Sequence, residues 1–129
     1  MKNDYEGRIK DFHKVFGVPM ANEPTHIPAI DFVRRLTLIT SEVGELGDAV
    51  RQQDIVEIAD ALGDILYVTF GMAVEMGIPI DRVINEIHES NMSKANADGS
   101  VTKDPGGKVL KSERYVPVDL SWLGTGVGL

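Results

Sequence analysis

The chain has 129 residues, a net charge of -7 and no cysteine. That length suits one domain, and the acidity argues against non-specific binding of nucleic acid, which needs a basic surface. The missing thiols exclude disulfides and thiolate metal sites.

The N-terminal stretch MKNDYEGRIKDFHKVF predicts a first helix over about residues 4–16. Tyr5, Ile9, Phe12 and Phe16 recur on one face, and Asn3 and Glu6 have capping-box spacing. Acids interrupt this stretch, so it is not a signal peptide. No apolar run reaches the roughly 18 residues of a membrane span. The expectation is a soluble, cytoplasmic protein with neither membrane nor nucleic acid as partner. Pro19, Pro24 and Pro28 then punctuate a loop.

A second helix is predicted over about 28–52, with Phe32, Leu36, Ile39, Val43, Leu46 and Val50 as its apolar face. A third, over about 55–76, is apolar nearly all round and should be the most buried; Gly77 and Pro79 end it. The fourth, DRVINEIHESNMSKA, has Val83, Ile84 and Ile87 on its inner face. From about residue 96 the chain turns rich in Gly and Lys. It reads as an ordered loop with a short hairpin, signalled by Asp98-Gly99, followed by the apolar tail SWLGTGVGL. The fold class is all-α: a helical core over 1–95, then a loop and tail over 96–129, all in one domain.

The chemistry must come from carboxylates. Glu42 and Glu45 lie on helix two; Glu57, Asp60 and Asp64 lie on helix three. At about 100° per residue the last three fall within about 60° of one another. Like charges so placed destabilise an isolated helix by about 0.2–0.5 kcal/mol per pair. The short connection around Gln52–Asp54 makes the two helices antiparallel neighbours. Glu45 then sits level with Asp60, and Glu42 level with Asp64. Facing carboxylates repel and resist desolvation, and a divalent cation removes both costs. All-oxygen ligation favours Mg²⁺, Mn²⁺ or Ca²⁺, and Mg²⁺ so held commonly also binds substrate phosphates.

Simpler readings stand beside this one. Asp54 and Glu57 have the spacing of a helix cap and its partner. Asp60 and Asp64 would otherwise form a solvated face, and Asp48 has no partner at its level. A di-iron bundle would need Glu-x-x-His on its helices. Here that spacing occurs only at Glu23–His26, in the Pro-bearing loop. His13 and His88 read as structural.

The sequence SEVGEL followed by ADALGDILYVTFGMAVEMGI resembles the MazG-like all-α nucleoside triphosphate pyrophosphohydrolases. DFHKVFG, IHESNMSK and GGKVLKSERYVPVDL extend the likeness to the dimeric dUTPase-like subgroup and its phage relatives, over most of residues 11–119. The resemblance implies a four-helix bundle completed by self-association into a homodimer or homotetramer. It also implies Mg²⁺-dependent hydrolysis of a nucleoside triphosphate to the monophosphate and pyrophosphate, with dUTP, another dNTP, or dGTP and GTP as substrate.

Carried over by residue, Glu42 and Glu45 match the first motif. The second fits two registers, Glu57 with Asp60 or Asp60 with Asp64, so all five acids are candidate metal ligands. Glu42 and Glu57 are the candidate bases. Ser41 stands where subgroup members often have a further Glu. Asn91 and Lys94 match the subgroup's N-x-S-K and would reach the triphosphate. Lys108, Lys111 and Arg114 could close over it from the C-terminal loop, and Tyr115 could stack on the base; a solvated basic loop and a packed tyrosine are the plainer readings. The rival functions are phosphoribosyl-ATP hydrolysis and a non-catalytic helical module that binds metal or nucleotide.

Overall fold

A computed structural model describes residues 4–124 of the chain. The expected cap at Asn3 and tail residues 125–129 lie outside them. The fold is all-α, with helices α1 (Tyr5–Phe16), α2 (Ala29–Arg51), α3 (Ile55–Glu75) and α4 (Ile80–Met92), then a 3₁₀ turn, Ser121–Gly124. No single described helix is long and apolar enough to cross a membrane. The chain divides into two compact units, the first reaching to Ile80 and the second beginning at Asp81.

In the first unit, Asp4 caps α1: its Oδ1 accepts the Gly7 N–H at 2.8 Å. Gly17 ends the helix in the left-handed region at φ 68°. Tyr5 meets Phe70 with ring centroids 6.0 Å apart, and Phe12 meets Tyr67 edge-on at 5.6 Å, so aromatic side chains join α1 to α3. The loop before α2 is strapped to the end of α3. Ala21 N–H donates to Val74 O at 3.3 Å and Thr25 N–H to Met76 O at 2.8 Å. Gly77 makes this approach possible: at φ 68°, a Cβ there would lie 2.2 Å from Glu23 O.

α2 and α3 form the predicted hairpin. Asp54 opens α3, its Oδ1 accepting from Val56 and Glu57 N–H at 3.1 and 3.2 Å. The face of α2 turned inward differs from the expected one. Arg35 and Ala49 are buried, while Phe32, Leu36, Val43 and Val50 are exposed. Arg35, Glu42 and Ala49 are spaced by seven and form one line; the centre of the apolar stripe lies about 80° away from it. α3 presents acids and Gly71 along the seam, so a polar line faces it and the apolar stripe is displaced to the side. α3 itself is buried at Ala61 and over its last turns, Gly71 to Glu75, but Leu62 and Leu66 are exposed.

In the second unit, α4 buries Val83 and Ser90; Ile84 and Ile87 are exposed, contrary to the expected inner face. Serines explain the difference by tying the following segment to the helix. Ser90 Oγ donates to Val116 O at 2.8 Å, Val116 N–H to Ser93 Oγ at 2.8 Å, and Ser112 Oγ to Ser93 O at 2.8 Å. Trp122 Nε1 donates to Glu86 at 2.8 Å, with Arg82 3.6 Å above its ring. The turn at Asp98-Gly99 forms, but the strand-like pairing lies later, as one antiparallel bridge between Lys103 and Val109 around Gly107.

Candidate active site

Glu42 and Glu45 rise from α2 and Asp64 from α3, and each brings a carboxylate oxygen within 4.8 Å of the others. Glu42 and Asp64 are half-buried and Glu45 is exposed, so the group opens to solvent on one side. Glu42 Oε2 is covered and has no hydrogen-bond partner among the described residues. Hydrogen bonding to the Glu45 side chain, then loss of hydration, then the charges of Glu45, Asp64 and Asp60 hold the Glu42 carboxyl above its ordinary range. A covered, unsatisfied acceptor beside two further acids is what a divalent cation satisfies. These three residues can hold one.

Glu57 and Asp60 are not in that group. They line an adjoining cleft of about 390 Å³ with Glu45, Asp48 and Gln52. Glu45 therefore borders both acid sets. Glu57 does not complete a capping box: the Asp54 N–H it would accept is donated to Ala49 O at 3.2 Å. Asp48, expected to be an unpartnered surface acid, pairs with Arg51 and faces Glu57 and Asp60 across the cleft. It lies four residues before Gln52, so a count of helical turns back from the hairpin connection would have found it. Ser41 is exposed.

The proposed phosphate ligands all lie in the second unit. Asn91 is exposed near the end of α4, and Lys94 N–H donates to Asn91 O at 3.2 Å just beyond it. Lys108 closes a tight turn on Asp104, its N–H donating to Oδ1 at 2.8 Å. Lys111 Nζ stands 5.0 Å above the Tyr115 ring, so one face of that ring already carries a cation. Arg114 is exposed, its N–H held by Ser112 Oγ at 3.1 Å.

A second polar group was not expected. Arg35 Nε donates to Glu75 Oε1 at 2.9 Å, and Arg35 Nη2 approaches His13 Nε2 at 3.5 Å. His13 Nδ1 donates to Pro19 O at 3.1 Å, which leaves Nε2 as the acceptor. Burial, opposed by that hydrogen bond and aided by the Arg35 charge, pushes the His13 pKa down. His13 is thus structural, as expected, whereas His88 is exposed on α4.

Residues 9–91 match the phosphoribosyl-ATP pyrophosphohydrolase (PRA-PH) family, and that span contains both acid-bearing helices. The chain belongs to the PRA-PH family. This places it among the MazG-like all-α pyrophosphohydrolases, in agreement with the resemblance seen in the sequence. A further relative is an uncharacterized protein of Acanthamoeba polyphaga mimivirus, 38% identical over 103 residues. That alignment takes in 74% of this chain and 41% of the viral protein, so the chain spans about two fifths of its relative's length. The PRA-PH match stops at Asn91, before Lys94 and the C-terminal loop that carries Lys108, Lys111, Arg114 and Tyr115.

Proposed function

We propose that this PRA-PH family member is a divalent-metal-dependent pyrophosphohydrolase acting on a nucleoside triphosphate. It would release the monophosphate and pyrophosphate in nucleotide-pool processing. The observation that carries this reading is the covered, unpartnered Glu42 Oε2 beside Glu45 and Asp64.

Glu42, Glu45 and Asp64 would hold Mg²⁺, or Mn²⁺ in its place, with Asp60 and Glu57 toward the adjoining cleft. A cation bound there would neutralise phosphate charge, supply a Lewis acid and lower the pKa of bound water. Glu42, with its raised pKa, suits a base that takes the proton of the attacking water; Glu57 is the second candidate. Asn91, Lys94, Lys108, Lys111, Arg114 and Tyr115 are assigned to the substrate on the sequence resemblance alone.

The test is metal-dependent pyrophosphate release from a panel of NTPs and dNTPs, including dUTP, dGTP and GTP. Phosphoribosyl-ATP belongs in the panel because the family carries its name. Release from any of them with Mg²⁺, and none after chelation, supports the reading. No release from the whole panel leaves a non-catalytic binding module instead.

The active form is proposed to be a homodimer or homotetramer. Leu36 and Val43 on α2 are 48% and 52% exposed, and Leu62 and Leu66 on α3 are 49% and 59% exposed. Large apolar side chains left this exposed are what an interaction face supplies.

A further inference from the structure

The first unit holds another cavity, of about 450 Å³, along the same α2–α3 seam as the acids. Phe12, Val18, Leu38 and Tyr67 give it apolar and aromatic walls. Its polar lining is Arg34, whose Nη1 is turned to Asp31 Oδ1 at 3.1 Å, together with His13, Arg35 and Glu75, these three exposed by only 2%, 8% and 6%. Cavities of this size, mostly apolar with a few converging polar groups, are where ring-bearing small molecules bind.

The ion pair in this lining needs a reason other than stability. An apolar pair of the same volume is often as stabilising or more so. The hydrogen bonds of His13, Arg35 and Glu75 supply one. Arg35 directs Nε to Glu75 and Nη2 to His13, and Nη1 lies so close to Gly71 that a Cβ there would be 2.7 Å away. His13 gives its one N–H to Pro19 O. Glu75 uses Oε1 on Arg35; its Oε2 takes no hydrogen bond among the described residues. The lining therefore offers a ligand a fixed anionic acceptor between apolar walls. A flat ring with an N–H edge matches it. Leu38 precedes Glu42, and Tyr67 follows Asp64, by about one helical turn of roughly 5.4 Å. A ring in the cavity and a phosphate chain at the acids can thus belong to one molecule.

We propose that this cavity seats the nucleobase of the substrate, with a ring N–H donating to Glu75 and Arg35 acting as the positioning residue that aims it. The proposal rests on the acid cluster being a nucleoside triphosphate site.

The test uses the full chain and phosphate-free deoxynucleosides without metal, followed by NMR of the methyl groups of Val18, Leu38 and Val68, which also lines the cavity. At least one nucleoside should shift these methyls, and Val18→Trp, which fills the cavity, should abolish the shift. Val18→Trp should also raise KM for the matching triphosphate by about tenfold or more with kcat little changed, since uniform binding is what it removes. Glu75→Gln, checked for folding by circular dichroism, should compress the spread of kcat/KM across bases by about tenfold or more. A merely structural Glu75 would lower all bases alike. Unshifted methyls with every nucleoside, or an unchanged KM in Val18→Trp, would overturn the proposal. Methyl shifts without pyrophosphate release from any triphosphate would uphold the cavity and overturn the enzymatic reading.

Discussion

Asp64 on α3 comes level with Glu42 on α2, their carboxylate oxygens within 4.8 Å of each other and of Glu45. Asp60, one turn earlier on the same helix, lines the cleft beside this group. The two aspartates are therefore separable by experiment. Asp64→Asn is expected to abolish tight Mn²⁺ or Mg²⁺ binding in calorimetry. It should cut pyrophosphate release by more than the roughly 10–100-fold lost when even an outer partner of a metal site is removed. Asp60→Asn and Glu45→Gln should also lose hydrolysis while staying folded, with Asp60→Asn retaining more metal affinity than Asp64→Asn. Full activity in both Asp60→Asn and Glu45→Gln would remove the acids from the reaction.

Metal should also act on stability. Without a cation, Glu42 is held above its ordinary pKa by its acidic neighbours, so the cluster opposes folding. Added Mg²⁺ or Mn²⁺ should raise Tm in a concentration-dependent way, by the equivalent of about 2.7 kcal/mol at a hundredfold excess over Kd. Glu42→Gln should blunt that rise, because it removes both a ligand and a source of repulsion. A Tm indifferent to either cation in the wild-type chain would argue against a metal centre.

How much of this was legible in the sequence depended on the kind of interaction. Helix positions were legible because apolar period, Asp54 and Gly77 are local signals. The levels of Glu42 with Asp64 and Glu45 with Asp60 followed from a short hairpin, which leaves little freedom of register. Hydrophobicity alone points to the wrong inward face of α2. Arg35 faces α3, where its ion-pair partner Glu75 stands, and Glu42 meets Asp64 there; Phe32, Leu36, Val43 and Val50 are left exposed, while Ile39 and Leu46 are half-buried. The Arg35–Glu75 pair joins residues forty apart, and nothing local in the sequence announces such a pair. Gly71 had the same hidden reason: it makes room for a guanidinium from another helix.

Two glycines should respond differently to a methyl group. At Gly71 a Cβ would meet Arg35 Nη1 at 2.7 Å, a side-chain tip held in place by Glu75 and His13. Gly71→Ala should cost about 1–3 kcal/mol, the usual range for overpacking. At Gly77 the obstacle is backbone, Glu23 O at 2.2 Å, and φ is 68°. Left-handed conformation adds about 1–2 kcal/mol for a residue with a Cβ. Gly77→Ala should therefore be the more destabilising in urea melts. The reverse order would mean that the loop before α2 yields more easily than the buried ion pair.

His13 gives stability a pH dependence of definite sign. Burial lowers its folded pKa below the ordinary 6.5. Between the two values the unfolded chain binds the proton and the folded one does not, so stability rises with pH there. Stability should thus fall as pH drops below about 6.5, until the folded pKa is reached. His13→Asn should be less stable at neutral pH but flatter across that window. A wild-type stability curve without slope just below pH 6.5 would place the imidazole in water.

The apolar surface of the hairpin predicts self-association. Leu36, Val43, Leu62 and Leu66 are all about half exposed, and they lie on the two helices that carry the acids. A stable dimer needs roughly 1,200–2,000 Å² of buried surface, and apolar side chains so exposed are suited to form the apolar part of it. Light scattering after gel filtration should give twice or four times the 14.1 kDa chain mass. Val43→Glu with Leu66→Glu should shift the population toward monomer, because a charge in the centre of such an interface loses hydration without a partner. Pyrophosphate release should fall with the dimer fraction if the assembled form is the active one. A monomeric wild-type chain that hydrolyses substrate at full rate would show that each chain is complete by itself.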